Sequence, residues 1–387
     1  MRKFILWTLF TLCCSSAFAG EVQGRLQVQK HIHDLLAQGN YAELDRIYQH
    51  DNTDKVRTSN GEYALDVEFY AGLSFNQKNA KPNSKTWSQD EKAFKKWMIQ
   101  SPTSAAPQIA YAELLDHHAL SYLGKGDLRH ATEEYWHLYH DYVNHAQQYL
   151  TSTQALADTD PHWYVVALKV ADDEEMNWAD NATLFFKATN KYPAYDHIYM
   201  VGIPRLMQSS EAKGVLDNLV HTGVVMNSSP WDRLPGEIMY ARIYSAIEAQ
   251  PKYQGTSFFY ETLADWYRMK IGLDAILSQY PDDWNTAHYA YLSCTALDQA
   301  KTAELFKRVK GYSKENWPSF KFYKACASFA SQRLSPALQE KWNTYEDAAK
   351  ANLDKLRSSP AYILETHESD AMHNTYNEYL QALMTNQ

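Results

Sequence analysis

The sequence predicts an all-α protein, an array of antiparallel helix hairpins of the degenerate tetratricopeptide-like, solenoid kind. Apolar residues recur three and four positions apart through most of the chain, strand-like alternation is scarce, and Pro and Gly fall between the periodic blocks. Three blocks also share one register: a turn residue, then residues four and eight places on that share a face of the next helix. They are Asn40, Leu44 and Tyr48; Asp127, Ala131 and Tyr135; Asp298, Thr302 and Phe306. Eight places before each turn stand Ile32, Ala119 and Ala290. In a helix-turn-helix repeat a small residue lets two helices approach, and an aromatic ring beyond the turn fills the space between them.

Residues 1–19 read as a cleaved signal peptide, with Arg2 and Lys3 ahead of an apolar run from Phe4 to Cys14 and the small-x-small site Ala17-Phe18-Ala19. This reading places the mature protein in the periplasm of a bacterium or outside the cell. Residues 20–75 are expected to form the N-terminal helices. Residues 76–108, rich in Asn, Lys, Ser and Pro, read as a loop-rich linker with a short helix. Residues 109–225 form a helical-repeat lobe whose best copy of the repeat is LGKGDLRHATEEY at 123–135, with a looser copy from His162 to Tyr195. Pro193 and Pro281 fall where such repeats break before the next helix. The stretch MNSSPWDRLPGE at 226–237 divides this lobe from a second one at 226–335, and C-terminal helices follow over 336–387.

Of the 387 residues 45% are apolar, enough for a large core, and the formal charge of −9 becomes more negative when Arg2 and Lys3 leave. An acidic chain without a basic run interleaved with aromatics is a poor partner for nucleic acid. No segment after the leader holds ~18 consecutive apolar residues, so no integral membrane segment is expected after cleavage. Beyond residue 19 the cysteines are Cys294 and Cys326, which form a disulfide candidate in an oxidising compartment or else two small buried thiols.

Five stretches resemble a family of bacterial proteins catalogued only as a domain of unknown function. They are RTSNGEYALDVEFYAGL (57–73), HWYVVALKVA (162–171), IYMVGIPRL (198–206), GEIMYARIY (236–244) and DWYRMKIGLDAILSQYPDDWNTAHYAYLSCTALDQAKTAELF (265–306). The resemblance covers most of residues 35–330 and implies an α-helical, repeat-like fold without an assigned activity. The chain departs from the family pattern after Pro204-Arg205, where Leu206-Met207-Gln208 replaces a Trp-Gly-Gly-like turn.

The candidate metal ligands are His130, Glu134 and His137, which share a stripe with Asp141 on the helix after Asp127, an arrangement suited to zinc or iron. One helix cannot bring all of them to a single ion, so Glu113 or His117 of the preceding helix would have to contribute. The apolar stripe Ala131, Tyr135, Leu138 and Tyr142 lies elsewhere on the same helix, which favours a solvated His and Glu stripe and no cofactor. Ser210 and Lys213 match the Ser-x-x-Lys spacing without its companion elements. His367 and His373 are six residues apart, where a zinc-protease helix requires four.

The 28 Tyr, 14 Phe and 11 Trp suit both the wedges between helices and a contact surface. Tyr111, Tyr122, Tyr289 and Tyr291, on the first helices of hairpins, are the candidate binding residues. No nucleophile elbow, phosphate-cradling loop or dinucleotide fingerprint occurs in the chain. The expected function is a non-enzymatic, exported scaffold that binds a peptide or protein partner in the bacterial envelope. The rival is an envelope enzyme, metal-dependent or acting on cell-wall material.

Overall fold

Local signals set the helix boundaries in this computed structural model, which describes residues 20–124, 132–174, 176–208, 213–229, 231–250, 253, 258–358 and 370–385. The leader, Asp127, His130, Ala131, Ser210 and His367 lie outside the described residues. Helix α1 (Glu21–Gln38) ends on Gly39, whose left-handed φ of 72° suits a residue without Cβ, and α2 (Tyr41–Asp54) begins after Asn40. A π-helical stretch, Leu65–Tyr70, then runs into the short α3 (Ala71–Leu73) and packs on α1.

Helix α4 (Lys85–Gln100) starts where the Ser84 hydroxyl accepts the Thr86 N–H, and at 16 residues it is long for a region read as mostly loop. Helix α5 (Ala106–Leu123) carries Pro107 in its first turn, and α6 (Glu133–Ala157) is capped by Thr132. Helix α7 (Pro161–Asp173) is capped by Asp160 and α8 (Trp178–Lys191) by Asn177. Helices α9 (Asp196–Gln208), α10 (Lys213–Met226) and α11 (Leu234–Glu248) follow. After the single turn α12 (Phe258–Glu261), Asp265, Asp282 and Asp298 cap α13 (Trp266–Gln279), α14 (Asp283–Thr295) and α15 (Gln299–Phe306). Helices α16 (Phe320–Ser331), α17 (Pro336–Ser358) and α18 (Asp370–Thr385) complete the chain.

The helices form an all-α array of packed antiparallel hairpins. Along one layer α5 packs on α7, α7 on α9, α9 on α11 and α11 on α13, while α6, α8 and α10 lie on the other side of these hairpins. Gly272 permits the closest of these approaches, since a Cβ there would stand 2.2 Å from the Glu237 carbonyl oxygen. The shared register reads out as core: Ile32, Ala119, Ala290, Leu44 and Thr302 are all buried, as is Tyr48, while Tyr135 and Phe306 are half-buried. Helices α10 and α11, which take up the two ends of the 226–237 stretch, pack directly on each other, and α17 and α18 pair with each other. This last pair is tied back to the α14–α15 turn, where the Tyr376 and Tyr379 hydroxyls donate to the Ala296 and Leu297 carbonyls at 3.1 and 2.9 Å. Cys294 on α14 and Cys326 on α16 are joined as a disulfide, their Cα atoms 5.7 Å apart.

The segment between α2 and the π-helical stretch reaches across the array. An isolated bridge between Arg57 and Tyr63 closes its turn, and Gly61 takes a φ of 85°. Arg242 of α11 donates to the Gly61 carbonyl at 2.9 Å and Asn285 of α14 to the Asn60 carbonyl at 3.1 Å. A Cβ at Gly61 would stand 2.5 Å from the Tyr280 ring, so only glycine fits beneath it. The turn thus locks the N-terminal helices to three later hairpins, with Tyr63 stacked on Tyr195 at 4.7 Å.

Candidate functional site

Helix α5 is buried on most of its circumference because α4, α6 and α7 all pack on it, and its two long faces carry different chemistry. Tyr111, Leu114, Leu115 and His118 follow a three- and four-residue spacing and line an open cleft of about 500 Å³. The 82–84 loop and Trp87, Ser88 and Glu91 of α4 form one wall, and Asp141, Tyr142 and His145 of α6 form the other.

Fixed aromatic rings dominate the cleft. The Trp87 indole donates to the Lys81 carbonyl at 2.8 Å and lies flat on His118, ring centres 4.5 Å apart and planes within 9°. His118 Nε2 is 3.0 Å from the Pro82 carbonyl oxygen, and the ring also meets Tyr142 at 4.2 Å and Tyr122 at 5.4 Å. Burial outweighs the pull of that carbonyl and of Glu91 and lowers the His118 pKa, so the ring is neutral at pH 7. Tyr111 donates to Glu91 at 3.3 Å, and its ring meets Tyr149 edge-on at 4.8 Å. Lys95 pairs with Glu91 at 2.6 Å, leaving Asp141, 60% exposed, as the open carboxylate of the cleft.

The other face of α5 holds ionisable groups inside the protein. His162, the second residue of α7, places Nδ1 2.5 Å from Asp66 of the π-helical stretch and Nε2 3.5 Å from Glu113. Lys169, two turns further along α7, pairs with Glu113 at 2.8 Å. Burial alone would lower the His162 pKa, but the two carboxylates outweigh it and raise the value to about 9. The imidazole is therefore a cation at pH 7, sandwiched against the Tyr70 ring at 3.9 Å. Burial pushes Glu113 up, yet Lys169, His162 and His117 hold it well below the usual carboxylate range. Asp116 behaves oppositely: its carboxyl oxygens are buried without a hydrogen-bond donor, and burial together with the neighbouring Asp173 raises its pKa well above normal. Burial raises Asp173 as well, so this pair resists ionisation of both carboxyls.

The candidate residues from the sequence fall into separate places. Tyr111 and Tyr122 belong to the cleft and its aromatic stack. Tyr289 is 1% exposed and donates to Asp274 at 2.9 Å; Tyr291 is 3% exposed, bonded through its hydroxyl to Glu248 and ringed by Trp317 and Phe322. Tyr291 packs around α14, while Tyr289, though buried, lies on the lining of a second cavity beside α13 and α14. Glu134 and His137 are exposed on α6, with His137 80% exposed and 3.8 Å from Asp141. Glu113 and His117, the residues that a metal site there would have needed, are committed to Lys169 and to each other. Among the described residues no group of three or more His, Cys, Asp or Glu side chains is placed to hold a metal ion.

Sequence reasoning missed Trp87, Glu91, His118 and His145, and it named Glu113 only as a contributor to a metal site, without Asp66, His162 or Lys169 as its companions. A signal for the network was present: Glu113 and Asp116 are the only acidic residues in a helix rich in Ala, Leu and Tyr, where charged groups must be paired. Comparison of the chain with known protein families, with characterised proteins and with solved structures finds no match.

Proposed function

We propose that this protein is an exported, non-enzymatic helical-repeat scaffold that binds a peptide or protein partner in the bacterial envelope, with the α4–α5–α6 cleft as the contact surface. The observation that carries the reading is the lining of that cleft: Trp and Tyr rings and the His118 ring held by their neighbours beside carboxylates, with the Lys95 ammonium already paired. Rings held by their neighbours give large contact area at little entropic cost. The open carboxylate of Asp141 favours a partner segment that places a Lys or Arg beside an apolar side chain. The export assignment rests on the leader-like residues 1–19 alone.

The test is site-specific photocrosslinking in a bacterial periplasm, with the crosslinker placed at Ser88 or at His145. A discrete crosslinked partner that disappears in a Tyr142→Ala variant is the expected result. Capture that is the same from the cleft and from a position on the far side of α8, or that survives Tyr142→Ala, refutes the cleft as the contact surface.

A further inference from the structure

A second cavity, of about 210 Å³, lies where the 57–63 turn meets α11, α13 and α14. Its floor is apolar, made by Ala246, Leu273, Ile276 and Leu277. Loose packing does not explain it, because the turn beside it is pressed so closely that a Cβ on Gly61 would collide with both Tyr280 and Arg242. One wall is the flat pair Trp284 and His288, stacked with centres 4.8 Å apart and planes within 19°. Burial lowers the His288 pKa to about 4, so this wall is uncharged at neutral pH.

Two polar features give the cavity a direction. Ser245 is on the lining, and its hydroxyl, just beneath the cavity surface, is buried without a hydrogen-bond partner, a condition relieved by a ligand that donates or accepts there once the hydroxyl turns toward it. The charged side chains on the lining are Arg242, Glu62 and Glu315. Arg242 is occupied by the Gly61 carbonyl and by Asp196 at 3.4 Å, and Glu62 by Arg25 and Asn60. Glu315 is exposed and has no ion pair among the described residues, so it is the lining carboxylate open to a cationic group.

We propose that this cavity binds a small aromatic amine, its ring in the apolar chamber against Trp284 and His288, a ring N–H or O–H on Ser245, and its ammonium group toward Glu315. The size agrees: an apolar cavity of about 150 Å³ accepts benzene, so this larger volume suits a bicyclic ring such as indole. The site is separate from the α4–α5–α6 cleft and does not depend on the partner assigned to it.

Calorimetric titration of the full chain with tryptamine, indole and indole-3-acetate tests this. Tryptamine is expected to saturate a single site, indole to bind about threefold more weakly, and indole-3-acetate more weakly still, as exposed charge pairs act. The preference for the amine should shrink with added salt. Glu315→Gln, a change at an exposed position, should bring tryptamine and indole to the same affinity. Ala246→Trp should fill the chamber and reduce tryptamine affinity at least about tenfold, with thermal melting to show that the variant is folded. The proposal is overturned if wild-type protein shows no saturable tryptamine binding or if indole-3-acetate binds as tightly. Loss of the tryptamine signal in Tyr142→Ala would also overturn it, by placing the probe in the other cleft.

Discussion

The two faces of helix α5 carry titratable side chains that the protein treats in opposite ways. Toward the cleft, His118 is kept neutral and Asp141 is left open to solvent. Toward the interior, His162 is held charged, and the carboxylates Asp66 and Glu113 are matched by the cations His162 and Lys169. Burial acts on both histidines in the same direction, so the difference lies in the neighbours: a backbone carbonyl and a more distant Glu91 for one, two carboxylates in contact for the other. A carboxylate facing solvent, with only the exposed His137 at 3.8 Å beside it, is available for recognition, whereas a matched group in the core has spent its interactions on the fold.

This contrast is broken most severely by removing one partner of the buried set. Glu113→Gln leaves His162 and Lys169 without their shared carboxylate and should lower stability by about 3–5 kcal/mol in urea denaturation. A loss below about 1 kcal/mol would show that the network is not closed in solution. The next largest effect is one of pH. The folded His162 value of about 9 lies above its ordinary 6.5, so the stability it contributes is complete below about pH 6.5 and is lost as pH climbs through about 9. The fall is on the order of 3 kcal/mol and should vanish in His162→Gln, as read from melting temperature against pH.

On the cleft side, Tyr142→Ala should weaken capture of the partner by about 2 kcal/mol, the effect of removing a central aromatic contact, with a smaller effect on folding. Equal losses in binding and stability would erase the distinction between the two faces. Asp116→Asn should stabilise the protein by about 1 kcal/mol, because it replaces a buried carboxyl lacking a donor with a neutral group that can donate to Asp173. The smallest change is expected from Asp141→Asn, less than about 1 kcal/mol in partner binding and reduced further at high salt.

Reading from residues to structure works best where the relevant contact lies within one or two helical turns. The cap Asp298 and the turn at Gly39 and Asn40 act on backbone groups a few residues away and stand where the sequence places a turn, whereas Ser84 opens a 16-residue helix inside a stretch that reads as mostly loop. The hairpin register at Ile32, Ala119 and Ala290 is legible for the same reason, since a helix repeats its face every three or four residues. The site was only partly legible. Tyr111 and Tyr122 stand on the cleft side of a first helix, whereas Tyr289 and Tyr291, with the same local pattern, are almost fully enclosed, Tyr289 on the lining of the second cavity and Tyr291 among Trp317 and Phe322. Amphipathic spacing identifies a face of a helix without saying what covers it.

By itself, the sequence determined the helical class and the hairpin turns at Asn40 and Asp298, because these follow from backbone geometry and short-range side-chain contacts. Tertiary structure alone decided that the 57–63 turn is gripped by Arg242 and Asn285, that His162 lies between Asp66 and Glu113, and that Trp87 closes on His118. These contacts join residues about thirty to more than two hundred positions apart, for which local periodicity carries no information. The charge state of each buried group depends in turn on those neighbours, because in a water-poor interior the nearest partner, and not the residue type, determines whether a proton stays.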